Sequence, residues 1–294
     1  MKKKFVFLGI IFSIAGVLFS QAETEEVDLT GLLSVDFRSL QPGEVLWVRY
    51  PDLPKVINIR VRFREKTYNL ERINGEFVTP VGLDLGINPG NYPMQVVLSM
   101  DDGSLASFSR NLEIQSKEFP VKKLWVEEKF VSPPAEVTER IRRESQILNT
   151  LYSLYTQEWL GDGSFIIPCG GEIFPNFGER RFFNNKPRSQ HSGVDISAPS
   201  GTPLAAANSG RVVLATNLYF CGNAVIIDHG MGVFSIYCHL SKLHTKRGEM
   251  VSKGDIVGEV GATGRVTGPH LHWSVKIRGS RVDPISLVSL DLEH

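Results

Sequence analysis

Two imidazoles separated by one residue, His270-Leu271-His272, sit inside the stretch Gly268-Pro269-His270-Leu271-His272-Trp273. In a strand, residues i and i+2 project from one face, so these rings would stand about 7 Å apart and look into a common site. Two fragments upstream carry groups of the same chemistry: His191-Ser192-Gly193-Val194-Asp195 and Tyr237-Cys238-His239-Leu240. Together the three fragments offer four histidines and one carboxylate. That is enough for a zinc ion with three protein ligands and an open position, with two imidazoles left to move protons. Neither His-x-His nor His-x-x-x-Asp is specific alone. Their occurrence in order, each beside glycine turns or apolar alternation, is.

From about Ile167 to Leu287 the chain resembles the lysostaphin-type zinc endopeptidases, which cut peptidoglycan cross-bridges. The resemblance rests on Phe177-Gly178-Glu179-Arg180, His191 to Asp195, Gly201-Thr202-Pro203-Leu204, Ile227-Asp228-His229-Gly230, Tyr237 to Leu240 and Gly268 to Trp273. It implies one zinc ion per chain, held by His191, Asp195 and His272. His239 and His270 would then lie near the metal but not on it. One of the pair would take a proton from water, and the pair would hydrogen-bond the oxyanion; the sequence leaves open which does which. No His-Glu-x-x-His is present, so the carboxylate base of that motif is missing and histidine is the group that titrates in the right range. The implied substrate is the peptide portion of peptidoglycan. The rival from another class is a non-enzymatic regulator that activates a separate wall amidase, against which the complete ligand set argues.

Other reactive residues have blander readings. His229 precedes Gly230 at a strand end, where a histidine commonly hydrogen-bonds its own turn. Tyr237 either adds its hydroxyl to the site or simply packs. Cys238, between Tyr237 and His239 in an alternating strand, points away from the site as a small buried hydrophobe. A disulfide between Cys169 and Cys221 is open, and with three cysteines at least one is left over within the chain. The loop from Arg181 to Gln190 mixes two phenylalanines with three basic residues; it forms a groove wall that meets substrate carboxylates or is merely solvated.

The elements that would position these groups are mostly strands. Ile57-Asn58-Ile59-Arg60-Val61-Arg62-Phe63 alternates without a break, and Asp101-Asp102-Gly103 joins Met94–Ser99 to Leu105–Ile114 as a hairpin. Residues 28–118 therefore read as a β-sandwich of immunoglobulin-like type. That segment has no histidine and no cysteine, so it is expected to be a spacer or a docking module for a cell-envelope partner. A linker helix is expected over 132–161, with Ser132-Pro133 as its start and Gly161 as its stop. Residues 165–290 are expected to form an antiparallel β structure with long loops, self-sufficient from about Gly161; the resemblance implies that this is the zinc endopeptidase domain and that its sheet forms a groove. The fold class is mainly β.

At the N-terminus, Lys2-Lys3-Lys4 precedes fifteen uncharged residues from Phe5 to Phe19 and then Ser20-Gln21-Ala22. This is the pattern of an export signal over 1–22, too short for the roughly 20 apolar residues of a membrane span. No cysteine follows to carry a lipid anchor. The chain is expected in the periplasm or cell envelope, with no stable span after cleavage. Its 32 basic and 32 acidic residues balance, and without a basic stripe interleaved with aromatics it is not drawn to nucleic acid.

Overall fold

The computed structural model describes residues 29–292, so the expected export signal lies outside the described residues. Eight strands come first: β1 (Ser34–Asp36), β2 (Val45–Pro51), β3 (Val56–Phe63), β4 (Lys66–Asn69), β5 (Glu71–Ile73), β6 (Glu76–Gly82), β7 (Gly90–Met100) and β8 (Leu105–Ile114). They form two four-stranded sheets, ordered β1-β2-β6-β5 and β4-β3-β7-β8. This is the strand order of an immunoglobulin-type sandwich with one extra strand on the second sheet. The alternation read from Ile57 to Phe63 becomes β3, with Ile59, Val61 and Phe63 buried. The β7–β8 hairpin turns at Gly103, which takes φ +84°, a left-handed conformation that costs a glycine little.

Strand β2 faces two cores. Leu46, Val48 and Tyr50 pack inside the sandwich, whereas Val45 and Trp47 pack with the core of the C-terminal half. A strand has a side-chain period of two, so a sheet buried on both sides divides its residues in this way. Polar contacts reinforce the seam. Arg38 bridges Glu44 and Asp283 at 2.7 Å each, Asp84 pairs with Arg281 at 2.7 Å, and Lys66 Nζ donates to Arg278 O and Ser280 Oγ.

The connection contains β9 (Val121–Leu124), α1 (Glu128–Val131) and α2 (Ala135–Ser153). The helix is shorter than the expected 132–161. Ser132 caps the C-terminus of α1, and Pro133-Pro134 holds the chain extended, so α2 begins after the second proline. At the other end Leu154 is already extended. The apolar spacing continues past the helix because later residues are buried individually: Trp159 meets Trp47 and Phe165, and Tyr155 lies under Arg278. Within α2, Leu148, Leu151 and Tyr152 pack on the back of the large sheet, near Phe234 and Cys238. Among the described residues no helix is long and apolar enough to cross a membrane.

The C-terminal half continues with β10 (Glu172–Phe174), β11 (Arg180–Phe183), β12 (Lys186–Gln190), β13 (Gly193–Ser197), β14 (Pro203–Ala205), β15 (Gly210–Leu218), β16 (Gly222–Asp228) and β17 (Val233–Leu243). It ends with β18 (Met250–Val251), β19 (Ile256–Val260), β20 (Leu271–Ile277), β21 (Ser280–Val282) and α3 (Pro284–Val288). The large antiparallel sheet runs β10-β13-β20-β17-β16-β15-β18. A second, three-stranded sheet orders β12-β11-β9, so the segment expected as a loop from Arg181 to Gln190 is a β-hairpin extended by a strand from the connection. The C-terminal half shares its packing with the residues before it: Phe119 packs on Phe177, β9 pairs with β11, and Trp47 fills the core beside Trp159.

Trp47 is 5 % exposed and joins the two halves, so Trp47→Ala should cost about 3–5 kcal/mol. Denaturant unfolding followed by circular dichroism should show one earlier transition for the whole molecule. A separate early loss of the sandwich alone would mean that the seam is not cooperative.

Candidate metal centre

Strand register brings the site together. In the β13–β20 ladder Asp195 lies opposite His272, and in the β20–β17 ladder His272 lies opposite Cys238. His191 immediately precedes β13. Its Nε2 is 2.8 Å from His272 Nδ1 and 3.1 Å from Asp195 Oδ1, and His272 Nδ1 is 3.0 Å from the same oxygen. Gly193 makes room for this: a Cβ there would lie 2.9 Å from His272 Cε1 and would collide with Trp273 O.

These three atoms suit a divalent cation. His191 Nδ1–H donates to Asn176 O at 3.0 Å, which leaves Nε2 as a lone pair facing the other two groups. Burial pushes His272 down to about 4, against the pull of Asp195, so its imidazole is neutral as a ligand requires. Burial would raise Asp195, but the contacts with His191 and His272 outweigh it and hold the carboxyl well below the usual range. Two imidazole nitrogens and a carboxylate oxygen within 3.1 Å of one another form a closed triangle of cation donors.

Two side chains that the sequence reading gave no part at the metal set the carboxylate. Asn176 Nδ2 donates to Asp195 Oδ2 at 2.9 Å while its Oδ1 accepts from Asp195 N. Arg181 Nη2 donates to the same Oδ2 at 2.8 Å and its Nε to Glu179 Oε2 at 2.9 Å. With Oδ2 held, Oδ1 is the oxygen turned to the histidines. Arg181 stands next to the Phe177-to-Arg180 motif but was placed in the groove wall.

His239 and His270 lie beside the triangle. Their ring centroids are 5.0 Å apart, His239 is 6.1 Å from His272, and His270 Nε2 is 3.7 Å from Asp195 Oδ1. Each ring donates Nδ1–H to a backbone carbonyl of one loop: His239 to Thr263 O at 2.8 Å, and His270 to Gly268 O at 2.9 Å. Both therefore keep Nε2 as a free acceptor. Arg265 anchors that loop, lying 4.7 Å from both Phe183 and Phe220. Burial, together with His272 and His270, pushes His239 down to about 3.

His239 reaches this face by a route the alternation argument missed. Tyr237 and Leu240, three positions apart, both lie in the main core, which a regular strand forbids. The ladder slips between Val225 and Asn223, and His239 takes φ +71°. This left-handed residue in a bulge throws its ring toward His272. His270 precedes β20 in an isolated bridge to Gly261. Tyr237 faces away from the metal ligands; its hydroxyl accepts from Ala207 N at 2.9 Å. Cys238 is buried, but it does not point away from the site as expected: as the ladder partner of His272 it lies on the same sheet face, under the helix.

His229 is a core residue. Its Nδ1–H donates to Ser209 O and its Nε2 meets Ser235 Oγ, each at 2.7 Å. Burial lowers it from 6.5 to about 4. The unfolded chain thus binds a proton between those values that the folded chain refuses, and stability should fall as pH drops from about 6.5 to about 4, by roughly 3 kcal/mol. Urea titrations across that window should show this decline, and His229→Gln should remove the share due to His229 while leaving that of the buried His239 and His272. For the metal, His191→Ala, Asp195→Ala and His272→Ala should each abolish stoichiometric binding of a divalent ion, whereas Asn176→Ala should weaken it about 10–100-fold. Elemental analysis with chelator competition measures both.

Comparison with known proteins agrees with this geometry. Peptidase family M23 matches residues 189–284, which contain all five residues just described. The peptidoglycan DD-endopeptidase ShyA of Vibrio cholerae is 43 % identical over 112 residues, 38 % of this chain and 26 % of that protein. The DD-carboxypeptidase/endopeptidase Mpg of Neisseria meningitidis is 43 % identical over 97 residues, 33 % of this chain and 22 % of that protein. The chain thus spans about a quarter of the length of these curated relatives. A solved structure from Pseudomonas aeruginosa, provisionally assigned as an M23 peptidase, covers 86 % of this chain and 96 % of its own at 29 % identity and a TM-score of 0.66. That likeness takes in the sandwich as well as the metal site. Residues 189–284, which hold the His191–Asp195–His272 triangle, match peptidase family M23.

Proposed function

We propose that the chain is an exported, zinc-dependent endopeptidase that hydrolyses peptide cross-links in bacterial peptidoglycan. One observation carries the proposal: two imidazoles with free Nε2 atoms lie beside a three-atom cation site, and each is fixed in that tautomer by a backbone carbonyl. His191, Asp195 and His272 would hold a single zinc ion. When bound, zinc supplies a Lewis acid that polarises a carbonyl and makes water acidic near neutral pH.

The rest falls to the chain's own groups. His239 and His270 each present an acceptor, so either can take the proton of the attacking water. A protonated Nε2 then becomes a donor, able to steady the oxyanion or return the proton to the leaving amine. Asn176 and Arg181 hold Asp195 while this happens, and the loop from Thr263 to Gly268 fixes both bases. The relatives named as DD-endopeptidases make a bond between two D-centres the first substrate to try. Export is supported by the basic and apolar N-terminal sequence and by such a substrate.

The purified chain should solubilise sacculi by itself, lose this with a chelator and regain it with zinc, with mass spectrometry of the released muropeptides naming the bond. His239→Ala and His270→Ala should each lower the rate by roughly 10²–10⁴ while retaining the metal. If the chain releases nothing alone but speeds a purified wall amidase, and His270→Ala does so equally well, a regulatory role replaces the enzymatic one.

A further inference from the structure

Two of the three cysteines meet beside the site, on the sheet face that carries His272. Cys221 occupies the turn between β15 and β16, and its carbonyl accepts from His239 N at 2.7 Å. Cys238 immediately precedes His239 and is 1 % exposed. The two side chains share one small apolar cluster with Leu148, Tyr152 and Phe234. The two thiols are neighbours in that cluster, and each perturbs the ionisation of the other. Cys169 lies in the other core, on the opposite face of the sheet, so the pairing of Cys169 with Cys221 left open by the sequence is not the one the fold supports. All three thiols are free in this structure.

We propose that Cys221 and Cys238 form a redox-active dithiol that closes to a disulfide by exchange with an external disulfide. The pair has the asymmetry that such exchange needs. Cys221 is partly exposed on its turn, and the neighbouring Cys238, helped by Arg265, favours its thiolate. Cys238 is buried behind it and positioned to resolve. Cys221 thiolate attacks one sulfur of the external disulfide and expels the first thiolate. Cys238 then loses its proton and attacks Cys221 Sγ, expelling the second. Two cysteine thiols are oxidised to one disulfide, and one external disulfide is reduced to two thiols. The new bond would tie the β15–β16 turn covalently to the bulge that sets His239. The inference stands on the thiol geometry and does not depend on the proposed enzymatic reading.

The test treats the full chain with oxidised glutathione and, separately, with diamide, followed by peptide mapping without reduction. The expected product is a cross-linked Cys221–Cys238 peptide with Cys169 still free, formed equally in Cys169→Ser. Cys238→Ser should stop at a glutathione adduct on Cys221, and Cys221→Ser should carry no adduct at Cys238. The proposal is overturned if Cys221 is alkylated by iodoacetamide, showing that it is reachable, yet neither oxidant joins it to Cys238. It is equally overturned if Cys169 is the residue found cross-linked.

Discussion

A buried carboxylate is tolerated only when its lone pairs are answered, because desolvating the charge costs several kcal/mol. At Asp195 the answers come from four separate segments. Asn176 follows β10, Arg181 lies in β11, His191 precedes β13 and His272 lies in β20. The ladders must therefore hold one register. Asp195 sits opposite both His272 and Phe174, and a slip of one residue would put Val194 or Ile196, now in the core, where the charge belongs. Hydrophobic patterning alone would resist such a slip; the charge makes it prohibitive.

The second constraint is that the same sheet must present groups from β17, whose regular alternation would hide one of them. Tyr237 and Leu240 are both required by the core. A bulge absorbs the odd residue and leaves His239 left-handed, a conformation unfavourable for a side chain with a Cβ. The conformation is held from three sides, by Cys221 O on the His239 amide, by Thr263 O on the ring and by burial around it. Strain at this point is the structural requirement for bringing a base to the metal triangle without disturbing the core behind it.

These two features mark what the sequence could and could not tell. His191, Asp195, His239, His270 and His272 were legible because each lies in a short motif whose residue types are hard to explain otherwise. The sandwich was legible from period-two strands such as Ile57 to Phe63. Asn176 and Arg181 were not, since an amide and a guanidinium near glycine turns look like ordinary surface groups until the second carboxylate oxygen is seen to face them. The bulge was invisible because Tyr-Cys-His-Leu reads equally well as unbroken alternation. The helix was extended too far because Tyr155 and Trp159 kept a helical spacing while their partners, Arg278 and Trp47, lie far away in sequence.

The N-terminal half supplies none of the three cation-donor residues, yet it lies only a few contacts from them. Strand β9, drawn from the connection after the sandwich, pairs in parallel with β11, with Lys122 beside Arg181, and Arg181 holds Asp195. Phe119, two residues earlier, packs against the glycine turn at Gly178, whose amide donates to His191 O at 2.8 Å. On the other side of the same segment, Phe130 of α1 stacks on Tyr219, Tyr219 on Phe220, and Phe220 on the Arg265 that anchors the loop behind both candidate bases. The metal triangle and its flanking histidines are thus positioned by a frame that extends through the entire described chain, and the sandwich is a structural part of that frame.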